Sequence, residues 1–99
     1  MTKKEHLLTC LSEEASEVIK DISKSLRFGL EDINPSNKKK NKEAIRQEII
    51  DFIAVAEMLV EDGIIEPFNE LEDLYTIEDK KEKVAKYISY AQKKGTIIQ

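Results

Sequence analysis

The chain is poor in the residues that cross-link or interrupt structure. Its 99 residues include one cysteine, two prolines, three glycines and no tryptophan. The single cysteine, Cys10, excludes a disulfide within the chain and fits a reducing compartment. Residues 1–14 lack the apolar core of a signal peptide, and no apolar run is long enough to cross a membrane. We therefore expect a cytoplasmic protein.

Several kinds of functional site are missing as well. The only histidine, His6, is not part of an ExxH arrangement, so a ferritin-like di-iron centre is not expected. No GxxxxGK[ST] motif is present, which excludes P-loop chemistry. The net charge is −4 and the pI is near 5.1, so general nucleic-acid binding is not expected either. Cys10 has no histidine close in sequence, and we interpret it as a partly buried thiol.

Apolar residues at mixed spacings of three and four predict helices. The predicted elements are a first helix over 4–26, a loop over 34–41, a second helix over 41–61, a short turn of helix over 69–74, a last helix over 77–93 and a tail over 95–99. The fold class is therefore all-α, a single domain over 1–99 built from an antiparallel helical pair plus a third helix. So few helices cannot cover their own apolar stripes, and we expect four-helix-bundle cores formed by a homodimer or homotetramer.

Acidic residues crowd the first helix in the stretch LSEEASEVIKD, residues 11–21. Measured around the helix axis from Leu11, Glu14 lies at about −60° and Glu17 at about −120°. On the second helix, measured from Ile45, Glu48 and Asp51 lie at about the same two angles. Each helix thus carries two carboxylates three residues apart on the same flank of its apolar stripe. If the helices pack antiparallel, the four carboxylates can converge at one rim of the interface.

Two interpretations of these carboxylates follow from the residues. Hard divalent cations prefer oxygen ligands, and four acids in two such pairs suit a site for one to three magnesium ions. The alternative is a solvated helix face, because a chain with 20 acidic residues contains such pairs by chance.

The order of the acidic residues adds a family resemblance. EEASE at 13–17 and EIID at 48–51 form the pattern EExxE…ExxD. This pattern resembles the MazG-like members of the all-α nucleoside triphosphate pyrophosphohydrolase superfamily, in the compact form found in bacteria and their phages. The resemblance covers residues 6–62 well and the last helix only loosely. Thirty residues separate Glu17 from Glu48, which is at the long end for the family, and the surplus lies in the 34–41 loop.

The resemblance implies hydrolysis of a nucleoside or deoxynucleoside triphosphate between its α and β phosphates, giving a monophosphate and pyrophosphate. By this resemblance Glu14, Glu17, Glu48 and Asp51 would hold magnesium, with manganese as the alternative ion. Glu13 would act as the catalytic residue that orients or deprotonates the attacking water. Its position on the helix points away from the apolar stripe, so the alternatives are that it binds a second ion or only supports the metal ligands.

Basic residues are expected to bind the phosphates. Lys24 lies on the same flank as the acids of the first helix, and Lys83 lies on the last helix, where family members carry basic residues. A solvated helix face is the alternative for both lysines. Two rival functions also stay open: a phosphoribosyl-ATP pyrophosphohydrolase, and a non-catalytic helical interaction or regulatory protein. The expected partners are a nucleoside triphosphate and further copies of the chain, with no membrane and no nucleic acid.

Overall fold

The computed structural model describes residues 1–98, and Gln99, the last residue of the predicted tail, lies outside the described residues. The described chain contains three α-helices and no strand. They are α1 (Lys3–Phe28), α2 (Asn41–Glu61) and α3 (Glu70–Lys94). The all-α class and the three helices are confirmed. None of these helices combines the length and the apolar character needed to span a membrane.

The chain divides into two compact units, Met1–Glu66 and the part that begins at Pro67. In the first unit α1 and α2 form an antiparallel hairpin. Lys3 at the start of α1 pairs with Asp62, just after α2, with 3.0 Å between Nζ and Oδ2. At the other end of the hairpin, the side-chain amide of Asn41 donates to the carbonyl of Gly29 over 2.8 Å. The core between the helices contains Leu7, Ala56 and Leu59, of which only Leu59 is fully buried.

The ends of α1 follow from local chemistry. Thr2 and Glu5 form a capping box, in which each side chain bonds the backbone N–H of the other. The helix continues through Phe28, two residues beyond the predicted end, and stops at Gly29. The φ of Gly29 is +100°, a region that favours glycine because it has no Cβ.

The connection between α1 and α2 is tied to the start of α2. Glu31 pairs with Lys42 and, over 2.9 Å, with Lys40. The hydrogen bonds from Lys42 and Lys40 hold the pKa of the Glu31 carboxyl below its ordinary value. The backbone N–H of Asn41 donates to the carbonyl of Asp32 over 3.0 Å. The predicted loop is therefore anchored at its base, close to the end of α1.

The second unit contains one long helix, α3, where the sequence predicts a short turn followed by a separate helix. The prediction of two elements was wrong. The Asn69 side chain caps the single helix by accepting from Leu71 N and Glu72 N, each over 3.1 Å. The predicted gap includes Thr76, whose hydroxyl donates to the carbonyl of Glu72 within the helix. A β-branched residue lowers helix propensity only slightly, so nothing there ends the helix.

Candidate metal centre

Three of the predicted ligands meet between α1 and α2. One carboxylate oxygen from each of Glu14, Glu48 and Asp51 lies within 4.8 Å of the others. All three side chains are half-buried. Glu48 and Asp51 are three residues apart and therefore neighbours on one side of α2, while the antiparallel packing brings the middle of α1 to the same level. The antiparallel packing of α1 and α2 therefore brings the three carboxylates together.

The electrostatics of this cluster are unfavourable without a counterion. Burial raises the pKa of the Glu48 carboxyl above its ordinary value, and the charges of Asp51, Asp21 and Glu14 raise it further. None of the ion pairs among residues 1–98 includes Glu14, Glu48 or Asp51. Asp51 accepts one hydrogen bond from the Gln47 amide, over 2.9 Å, which fixes its orientation without neutralising it. A cation bound here would offset this repulsion.

The donor set fits a hard divalent ion. Carboxylate oxygens suit magnesium, calcium and manganese rather than softer metals. Magnesium binds through one or two carboxylates and keeps waters or substrate phosphates on its other positions. Glu14, Glu48 and Asp51 can supply the protein's share of such a coordination sphere from two rigid helices.

The other predicted acids lie outside this group. The side chains of Glu13 and Glu17 are exposed on α1. Asp21, by contrast, is half-buried, and its charge contributes to the raised pKa of Glu48. The sequence did contain a signal for Asp21, because it follows Glu14 by seven residues and two helical turns bring it to the same side of α1.

Lys24 lies beside a pocket at the end of α1 that faces the loop. The pocket has a volume of about 260 Å³, and its lining includes Lys24, Phe28, Asp32, Asn34, Pro35 and Asn41. Lys24 is half-buried and follows Asp21 by one turn, about 5 Å along the helix axis. Lys83 is exposed on α3, in the second unit. Cys10 is a half-buried free thiol, as predicted.

Comparison with known proteins finds no match, whether to a family model, a curated protein or a solved structure. Any functional assignment therefore depends on the residues and their geometry.

Glu48→Gln is expected to change thermal stability in opposite directions with and without magnesium. The pKa of the Glu48 carboxyl is higher in the folded state than in the unfolded state. Glu48 therefore contributes most to stability when the pH is below its unfolded-state pKa, and this contribution is lost as the pH rises through its folded-state pKa. At pH 7 in EDTA the neutral glutamine should raise the Tm by about 2–4 °C. In saturating magnesium the parent protein should gain about 5 °C or more, and the variant much less.

Differential scanning fluorimetry in EDTA and in a magnesium series measures both effects. Glu57→Gln is the matched control, since Glu57 is an exposed acid on the same helix. The metal assignment is contradicted if magnesium raises the Tm of the Glu48 and Glu57 variants equally.

Proposed function

We propose that this chain is a magnesium-dependent nucleoside triphosphate pyrophosphohydrolase, which releases a monophosphate and pyrophosphate. The observation that carries the proposal is the convergence of Glu14, Glu48 and Asp51 into one half-buried group without a paired cation among residues 1–98. These three acids belong to the EExxE…ExxD pattern on which the family resemblance rests. Geometry and sequence order thus support the same chemistry.

In this proposal Glu14, Glu48 and Asp51 hold the metal and Asp21 borders it. Bound magnesium would neutralise charge on the triphosphate and lower the pKa of a coordinated water. Glu17, one turn beyond Glu14, stays a proposed ligand for a further ion. Glu13 stays the proposed group that orients the water.

The rest of the substrate can extend along α1 towards the pocket. Lys24 follows Asp21 by one helical turn and offers a positive charge that can bind a phosphate. Phe28 follows one turn later and lines the pocket with an exposed ring, which can stack on a base. Polar groups of Asp32 and Asn34 line the same pocket and can bond the sugar or base edge. Lys83, on α3 in the second unit, stays a phosphate ligand predicted from the sequence alone.

The test is a product assay with the four ribonucleoside triphosphates, the four deoxynucleoside triphosphates and phosphoribosyl-ATP. Each is incubated with the protein and magnesium in ¹⁸O-labelled water, and the products are separated by ion exchange. We expect monophosphate and pyrophosphate, with the label in one of the two products identifying the phosphorus atom attacked. Addition of EDTA should stop the reaction.

The alternatives give different products. Turnover of phosphoribosyl-ATP alone would assign the related pyrophosphohydrolase activity. Release of a diphosphate and inorganic phosphate would contradict the proposed bond cleavage. Absence of turnover with every substrate would favour a non-catalytic helical protein. An Asp51→Asn protein purified in parallel controls for contaminating phosphatases.

A further inference from the structure

The helix α3 has well-defined ends but no buried residue. Asn69 caps its start and Gly95, in the left-handed conformation, ends it after 25 residues. None of its side chains is buried. Most helical stability in proteins comes from packing an apolar face, and an isolated helix is marginally stable in water. The second unit contains no other helix among its described residues, so α3 needs a partner for its apolar face.

That apolar face has the spacing of a coiled-coil seam. The positions separated alternately by three and four residues are Leu74, Ile77, Lys81, Val84, Ile88 and Ala91. This is the a and d pattern of heptads sustained over 18 residues, with one lysine among apolar residues. Leu74, Ile77, Val84 and Ile88 are each 44–55 % exposed. The seam is therefore available for a second helix.

The charges of α3 are divided between its two halves. Residues 70–79 contain five acidic residues and no basic one, a net charge of −5. Residues 80–94 contain six lysines and one glutamate, a net charge of +5. A parallel pair of such helices would place like charges together over its whole length. An antiparallel pair would place each acidic half beside a basic half.

We propose that α3 is a homodimerisation helix, which pairs antiparallel with α3 of a second copy of this chain. A two-fold axis between Glu82 and Lys83 aligns the seam with itself. This axis places Ile77 opposite Ile88 of the second copy. It also places Leu74 opposite Ala91 of the second copy, a pair in which a large side chain meets a small one. The pairing is isologous and closes at two chains. It does not depend on the proposed hydrolase activity.

The alignment also accommodates the lysine in the seam. Lys81 lies opposite Val84 of the second copy, where its aliphatic stem can cover the valine while its ammonium group reaches solvent. Near each end, Asp73 comes beside Lys94 of the second copy, on the flank of the seam. A single polar residue at a seam position specifies register at some cost in stability.

Sedimentation equilibrium on the full chain tests the association. We expect twice the chain mass of 11.4 kDa, with dissociation on dilution and weaker association at high salt. Lys80→Glu with Lys94→Glu should weaken self-association at least about 10-fold, because both lysines flank the seam and Lys94 lies beside Asp73 of the second copy. An equimolar mixture with an Asp73→Lys protein should restore a dimer. Lys38→Glu with Lys39→Glu, in the loop of the first unit, makes the same charge change and should leave association intact.

Cross-linking tests the orientation. Two proteins are made in a Cys10→Ser background, one carrying Leu74→Cys and the other Ala91→Cys. When mixed, the two proteins should form a disulfide with each other, whereas each protein by itself should form little disulfide-linked dimer. Self-linking of each variant would show a parallel pair and overturn the proposal. The proposal is also overturned by a monomer at all concentrations, or by charge reversal in α3 with no greater effect than the loop control.

Discussion

Glu14→Gln and Asp51→Asn are each expected to reduce the proposed triphosphate hydrolysis about 100-fold or more. Both substitutions keep the size of the side chain but remove one negative charge from the group that lies within 4.8 Å. Loss of a single group that stabilises charge in a transition state has an effect of this order. The two acids come from different helices, so equal losses would assign them to one site rather than to the stability of either helix.

The first control for this prediction is a test that each variant keeps its fold. Removal of a charge from a repulsive cluster should leave the far-UV circular dichroism spectrum unchanged and the Tm in EDTA equal or higher. Glu57→Gln, an exposed acid on α2, should retain full activity. Retained turnover in the Glu14 or Asp51 variant would remove that residue from the proposed site. Parallel loss of activity and helicity would mean that the residue supports the fold instead.

The sequence predicted the hairpin well because its signals are local and agree with each other. Gly29 and the 34–41 segment separate two amphipathic stretches, and the structure puts helices on both sides. The last helix was predicted less well. The turn predicted over 69–74 and the helix predicted over 77–93 are one helix that begins after the Asn69 cap, because neither of the two residues between them is a proline or glycine that would end it.

Rotation about a helix axis predicted part of the acidic group. Glu17 and Asp51 have about the same angle on their own helices, yet only Asp51 lies in the group. An angle on one helix does not specify how the two axes cross, and the crossing decides which flanking side chain reaches the other helix. For the same reason, the angles alone do not predict that the charge of Asp21 acts on Glu48.

The apolar stripe of the hairpin is wider than the core that one chain forms. Ile19 is 67 % exposed although the spacing assigns it to the buried face. Ile19 and Ile49 are among the side chains that line an open apolar pocket of about 290 Å³ between α1 and α2. Periodicity shows that a face is apolar but not what covers it. Oligomerisation of this unit stays a prediction.

Leu59→Ala is expected to cost about 2–5 kcal/mol in the free energy of unfolding, the range for truncation of a buried leucine. Leu59 is fully buried, and its backbone carbonyl accepts from Ile64 N over 2.9 Å, where the chain leaves α2. A small domain has total stability near the lower end of about 5–15 kcal/mol, so this loss is a large share of it. Urea denaturation followed by circular dichroism measures the change.

Met58→Ala is the matched control, because Met58 is the preceding residue of α2 and is 46 % exposed. An exposed truncation within a helix should change the stability by about 0.5 kcal/mol or less. The core of the first unit is thin, since Leu59 is accompanied by only Leu7 and Ala56 as buried apolar residues in the described chain. A thin core cannot redistribute a cavity over many neighbours, so the Leu59 variant should unfold at clearly lower urea. Equal midpoints for the two variants would mean that apolar contacts elsewhere, rather than this core, hold the hairpin together.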